Sequence, residues 1–256
     1  MEKWKLFELD CNAYLNKKYG NFFTHFGFSN STISDIKYEN NKKMFYIEVK
    51  MPSAQSGQFV LFPDYQNKKF VFSPNNKTKP NKSTDFIIAY MNKYFEKYAH
   101  VDSIGQNIDI DPKIFNEWIT NAYKDKGVKF MITKGKDYII FPINQYGNYF
   151  FITAKYRIKK SGSSKVPKSK QQEVLKKLTQ MNINFELTDD FNIKSNNHLN
   201  KLKFQVDDSE YMFSYFKENI YHIRKLSNTR NANVIFSIEL RKEQNPTDLE
   251  NFVNSL

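Results

Sequence analysis

The sequence predicts a mixed α/β protein, in which helices and strands intermingle at first and a mainly antiparallel β unit follows toward the C-terminus. Three observations carry this. Helical periodicity and strand-like alternation intermingle over the first 158 residues. The last third is almost wholly strand-like. A Gly/Ser/Pro/Lys stretch separates the two. The chain has 256 residues, 40% of them hydrophobic, enough for one large core or two small domains. A charged fraction of 26% is ordinary for a globular protein, and the composition as a whole argues against disorder, collagen and coiled coil.

Residues 3 to 19 predict a helix, with Leu6, Leu9, Ala13 and Leu15 as an imperfect apolar stripe and Gly20 as its stop. Residues 22 to 31, rich in Phe, Gly, Ser and Asn, read as a loop. Strands follow at Ile33 to Glu39 and Met44 to Met51. Gln58 to Phe62 reads as a strand or the start of a short helix, and Lys69 to Ser73 as a strand. A polar turn over 74 to 82 leads into a helix from Asp85 to Tyr98, with Ser83 or Thr84 as cap. Asp111-Pro112 opens another helix to about Lys124, proline suiting the first turn. Lys129 to Thr133, Tyr138 to Ile143 and Tyr149 to Ile158 read as an antiparallel meander. After a short helix from Lys170 to Met181, strands are expected at Asn184 to Leu187, Lys201 to Val206, Glu210 to Phe216, Ile220 to Leu226 and Asn233 to Leu240. The expected organisation is a first domain over 1–158, a basic loop or linker over 159–170, and a mainly-β unit over 171–256.

The most informative stretch is Ile33 to Met51. A tight turn at Asn41-Lys42 makes it a hairpin in which the numbers of opposed residues sum to 83, setting Asp35 across from Glu48. Period-two alternation puts Ile36, Tyr38, Phe45, Ile47 and Val49 on one face and Asp35, Lys37, Glu48 and Lys50 on the other. Opposed carboxylates repel, and a hard divalent cation such as Mg²⁺ relieves them because it takes oxygen ligands. Lys50 stands on the same face, placed to hold or polarise a water, and a metal with an oriented water suits phosphodiester hydrolysis. Two plainer accounts exist: charged residues are common on the wet face of a hairpin, and Glu-x-Lys recurs by chance in a lysine-rich chain.

Asp35-x(12)-Glu48-x-Lys50 on consecutive strands resembles the PD-(D/E)xK nuclease superfamily, best known for type II restriction endonucleases. The resemblance covers residues 1 to about 100, and Ser34 stands where the family often has proline. It implies a restriction-endonuclease-like core, a central mixed sheet flanked by helices, in a catalytic domain over 1–158, with 171–256 as a DNA-recognition unit and a Mg²⁺ cofactor held by Asp35, Glu48 and the backbone carbonyl of Val49. Lys50 would act on the attacking water. A helix before the strand pair would bring an acidic residue to the metal site, Glu8 being the natural match and Asp10 a weaker one. Gln58, ahead of Gln55, resembles the polar residue that some branches place near the scissile phosphate or an adjacent base. A plain surface glutamine fits equally well.

Lys and Arg number 39 against 27 Asp and Glu, a net charge of +12 that favours a polyanionic partner such as DNA, RNA or anionic lipid. A lysine-rich surface from an AT-rich genome accounts for part of it. Arg157, Lys159, Lys160, Lys165 and Lys168 lie in a densely basic run, where lysine supplies sequence-blind attraction to phosphates and Arg157 suits guanine. A solvated linker would look the same. Arg224, Asn228, Arg230 and Asn231 are candidate base readers, since arginine suits guanine edges and asparagine adenine. The alternative is a polar hairpin turn.

The four histidines do not cluster and Cys11 stands alone, which argues against a zinc site, an internal disulfide and a cysteine protease. No phosphate-binding Gly-rich loop followed by Lys-Ser or Lys-Thr is present. Neither a secretory signal nor a membrane span is expected, and one cysteine suits a reducing cytoplasm. The expected function is Mg²⁺-dependent, site-specific cleavage of double-stranded DNA, in partnership with a cognate DNA methyltransferase and as a monomer or homodimer. A repair or structure-specific nuclease with the same core and a non-catalytic nucleic-acid-binding protein are the competing readings.

Overall fold

The computed structural model describes residues 3–26, 33–40, 43–160 and 162–256. They form two compact units, the first over 1–157 and 232–256, the second over 158–231.

Helix α1 spans Lys3–Tyr19 and ends at Gly20, whose φ of +95° is a conformation open to glycine at no steric cost. Its buried stripe is Glu8, Cys11 and Leu15, while Leu6 and Leu9 face solvent. The expected leucine stripe is therefore off by part of a turn, and the true one carries an acid inward. Strand β1, Phe23–His25, occupies a stretch expected to be loop; three residues are too few to show alternation. It pairs antiparallel with β2, Ile36–Asn40, which pairs antiparallel with β3, Lys43–Val49. Ile36 faces Ile47 and Tyr38 faces Phe45, the register expected from the sequence. The turn residues Asn41 and Lys42 lie outside the described residues.

β4, Ser53–Asp64, settles the Gln58 to Phe62 ambiguity as strand, and β5, Lys69–Phe72, pairs with it. The helix expected over 85–98 is two, α2 (Lys82–Lys93) and α3 (Phe95–Ala99). The cap of α2 is Asn81, not Ser83 or Thr84. Its side chain accepts from the Thr84 amide at 2.9 Å, and the Thr84 hydroxyl accepts from the Asn81 amide at 3.2 Å. After β6 (Gln106–Asn107) comes α4 (Pro112–Lys124), capped by Asp111. Then follow β7 (Val128–Lys134), β8 (Tyr138–Pro142), α5 (Tyr146–Tyr149) and β9 (Phe150–Lys160).

The second unit holds β10 (Ser163–Lys165), α6 (Gln171–Gln180), β11 (Glu186–Thr188), β12 (Asn192–Lys194), β13 (Lys203–Val206), β14 (Ser209–Lys217) and β15 (Ile220–Leu226). Its strands run in the order β11-β12-β15-β14-β13, with β10 also on β15. α6 buries Val174 and Leu178 in a core shared with Ile193, Phe213 and Ile223. The chain then returns to the first unit as β16 (Arg230–Leu240) and α7 (Pro246–Val253).

The first unit has two sheets, ordered β1-β2-β3-β7-β8 and β5-β4-β16-β9-β6. Two expectations are thereby corrected. The stretch 129–158 is not one meander, because α5 breaks it and β9 joins the other sheet; β7 instead lies parallel to β3. Nor does the second unit run to residue 256. β16 pairs antiparallel with β4, and Phe252 of α7 sits fully buried against Phe23, Phe130 and Tyr19. The 159–170 stretch is part strand rather than plain linker: β9 runs to Lys160, β10 takes Ser163–Lys165, and Lys168–Lys170 form a 3₁₀ turn. A parallel neighbour needs a long crossover, and residues 50 to 127 supply it.

Candidate active site

Asp35 precedes β2 and Glu48 lies one residue from the end of β3, so the expected register brings them together at the strand ends. Both are buried, at 9% and 4% exposure. Asp35 Oδ2 accepts from the Val49 amide at 2.8 Å, and Lys50 Nζ donates to Glu48 Oε1 at 2.6 Å and to the Val49 carbonyl at 3.2 Å. The backbone between the acid and the lysine thus ties both strands to the charged cluster. Lys50 follows β3, and its amide donates to the Ile132 carbonyl on β7 at 3.0 Å, so the parallel neighbour holds the lysine's own backbone.

Burial pushes the Asp35 carboxyl up to about 7, with the Glu48 and Glu8 carboxylates adding to the effect against the pull of Lys50. Burial opposes the Lys50 ammonium too, but Glu48, Tyr123 and Asp35 outweigh it and hold this group well above the usual lysine range. Lys50 accordingly serves here as a donor to Glu48 and to the Val49 carbonyl.

Glu8 reaches the same region from α1, and its Oε2 lies 3.0 Å from His25 Nε2 on β1. Sequence reasoning missed His25 because it sat in a stretch expected to be loop. Asp10 is turned elsewhere, to Tyr138 at 2.5 Å and Lys134 at 3.2 Å, and its bond to Tyr138 holds its carboxyl below the usual value. Gln58 is exposed on β4, where its side chain accepts from Gln55 at 3.0 Å.

Comparison with solved structures adds one observation. An HhaI endonuclease, solved in complex with DNA, is 38% identical to this chain, covers 99% of it and 99% of its own length, and superposes with a TM-score of 0.85. The chain belongs to the PD-(D/E)xK nuclease superfamily. Within it the chain is most like a type II restriction endonuclease. No protein-family profile matches the chain, and no curated protein does.

A restriction-endonuclease-like site is expected to hold a divalent cation, and the residues fit one. Glu48 Oε2 is buried without a partner, an arrangement that costs about 1–3 kcal/mol or more unless something positive meets it. Asp35, Glu48 and the Val49 carbonyl form an oxygen-only set of the kind Mg²⁺ takes. Among the described residues no three His, Cys, Asp or Glu side chains form a cage by themselves. That also suits Mg²⁺, which keeps waters and commonly uses one or two carboxylates.

The basic candidates sit in varied places. Arg157 on β9 lines a cavity of about 550 Å³ with Asn107, Asp109, Thr153 and Lys155, and its Nε is buried without a partner. Lys159 is exposed one residue before the end of β9, and the side chain of Lys160 lies outside the described residues. Lys165 and Lys168 are exposed, Lys165 lying 3.6 Å from Asp190. Arg224 on β15 is engaged with Ser163, donating to its carbonyl at 3.0 Å and its hydroxyl at 3.3 Å. Asn228, Arg230 and Asn231 are exposed around the start of β16. That segment is no hairpin, because β15 and β16 belong to different sheets. No described helix is long and apolar enough to cross a membrane.

Proposed function

We propose that this protein is a type II restriction endonuclease that hydrolyses phosphodiester bonds in double-stranded DNA at a specific short sequence, with Mg²⁺ as cofactor. The observation that carries the reading is the convergence of Asp35, Glu48 and Lys50 on one buried strand end, with an unpartnered carboxylate oxygen on Glu48. Its likeness to a DNA-bound endonuclease over nearly the whole chain supports the same reading.

In this mechanism Asp35, Glu48 and the Val49 carbonyl would hold the cation, and Glu8, steadied by His25, would add negative charge from α1. Bound Mg²⁺ supplies Lewis acidity at the scissile phosphate and favours ionisation of a nearby water. Lys50 donates to the attacking water and offsets charge that develops on it. Water oxygen bonds to phosphorus as the bond from phosphorus to the leaving oxygen breaks; the water gives a proton to solvent, and the leaving oxygen takes one from solvent to become a hydroxyl. Arg157 and Arg230 are the arginines free to read base edges, while Lys159, Lys165 and Lys168 grip phosphates. A methyltransferase acting on the same sequence would protect the host, and the cytoplasm is the compartment that this partnership requires.

The test is digestion of unmethylated plasmid and phage DNA with Mg²⁺. Discrete, sequence-mapped bands support the reading. Uniform degradation, or cleavage only at nicks, flaps or lesions, overturns it in favour of a repair or structure-specific nuclease.

A further inference from the structure

Lys50 has a neighbour that the acid–lysine motif does not account for. Its ammonium lies 5.5 Å from the ring centroid of Tyr123 on α4, within cation–π range. Tyr123 is 5% exposed, and its hydroxyl lies 3.0 Å from Ser56 Oγ. Ser56 in turn lies 2.5 Å from the hydroxyl of Tyr146, which is fully buried. Three hydroxyls from β4, α4 and α5 thus meet in the interior beside the lysine. A phenylalanine at 123 would fill the same space without a polar group to satisfy, so hydrophobic packing alone does not explain the arrangement.

The backbone is shaped to deliver Ser56. Ile235 of β16 faces Gln58 but Ser237 faces Gln55, so β4 carries one extra residue at 56–57. Such a bulge re-aims a side chain. Gly57 takes φ +140°, and a Cβ there would lie 2.7 Å from the Trp118 ring. Glycine is therefore required at 57, and with it Ser56 is turned inward onto the two tyrosines.

We infer that Tyr123 is a positioning residue for Lys50: its ring seats the ammonium, and the Ser56 and Tyr146 hydroxyls hold the ring. Two Lys50 protons go to Glu48 and Val49, whose oxygens are also the proposed cation ligands. The aromatic face is a partner that the cation does not share. Lys126 Nζ lies 5.4 Å from the same centroid, so the ring carries a second ammonium as well. The consequence for catalysis rests on the proposed role of Lys50, but the contact itself does not.

The experiment has two arms. In cation-free protein, the ε-methylene proton shift of Lys50, assigned by its loss in Lys50→Gln, reports the ring current of Tyr123. It should be displaced upfield in wild type and in Tyr123→Phe, and return to the ordinary lysine position in Tyr123→Leu. In the second arm, single-turnover cleavage should slow about 2- to 30-fold in Tyr123→Leu, with DNA affinity in Ca²⁺ unchanged. Tyr123→Phe, which keeps the ring but loses its tie to Ser56, should fall between wild type and Tyr123→Leu, and Tyr123→Leu should add no further loss to Lys50→Gln. Tyr123→Met, nearer in volume, carries the same test should the leucine variant fail to fold. An unshifted Lys50 in wild type, or an equal loss from Tyr123→Leu in wild type and in Lys50→Gln, overturns the inference. If wild type cuts no DNA, the proposed function fails and the shift still decides this one.

Discussion

The β2–β3 pair and the β14–β15 pair are both antiparallel ladders with one apolar face, yet they treat charge in opposite ways. In the first unit the polar face is buried at its strand end: Asp35 and Glu48 are nearly inaccessible and are held by a backbone amide and one lysine. In the second unit the apolar face takes Phe213, Tyr221 and Ile223 into the core, and the other face leaves Ser214, His222 and Arg224 at least partly open to water. That unit carries fourteen Lys and Arg against eight Asp and Glu over 158–231, and its ion pairs, such as Lys203–Glu210 at 3.6 Å, are surface contacts. Buried charge must be compensated group by group, so each member has a defined task. Exposed charge acts as a sum, screened by salt. Substitutions should therefore be steep in the first region and shallow in the second.

The largest effect should come from the two acids. Asp35→Ala or Glu48→Ala should lower cleavage at least roughly a thousandfold while leaving the circular dichroism spectrum native. A variant that retains full activity would remove the acids from the mechanism. Lys50→Ala should come next, slowing single-turnover cleavage about a hundredfold with little change in DNA affinity. Lys50→Arg should not restore it, because a planar guanidinium cannot replace a compact ammonium in a site closed by Tyr123. A Kd that rises in step with the loss of rate would make Lys50 a phosphate clamp only.

The same burial predicts a pH effect on stability. Asp35 titrates near its ordinary value of 3.8 when unfolded but is pushed up to about 7 in the folded, cation-free protein. The folded state thus binds this proton more tightly. Its contribution is complete below the unfolded value and is lost as pH rises through about 7. Stability of chelator-treated protein should fall by on the order of 2 kcal/mol from about pH 5 to about pH 8. Asp35→Asn should flatten that slope, and denaturant melts at both pH values will show whether it does.

Away from the acidic site, Arg157→Ala or Arg230→Ala should weaken binding to the specific site by about 1–3 kcal/mol and barely affect random DNA, if either reads a base. Arg224→Ala should show less contrast, since its guanidinium is already engaged with Ser163. Equal losses on both duplexes would make these arginines a backbone grip. Smallest of all, Lys165→Ala or Lys168→Ala should weaken both duplexes alike and lower the salt slope by about one unit. Matched specific and scrambled duplexes titrated across a salt series in Ca²⁺ would measure both effects.

Much of the active site was legible because its geometry is local. Asp35, Glu48, Val49 and Lys50 lie within sixteen residues, and a tight turn plus period-two alternation sets their faces and register. Glu8 was found by resemblance, although the helix stripe first assigned would have pointed it outward. His25 left no usable signal, because a three-residue strand is too short for periodicity.

By itself the sequence determined the mixed α/β class, the hairpin register, the acidic pair with its lysine, and the surplus of basic charge. Each follows from neighbours along the chain or from composition. Only the tertiary structure decided that β7 lies parallel to β3, that β16 and α7 return to the first unit, and that Tyr123 and Ser56 meet beside Lys50. Those pairings join residues tens to more than a hundred positions apart. A strand carries the same alternation whichever strand it pairs with, so its neighbour is chosen by packing of the whole core and not by its own residues.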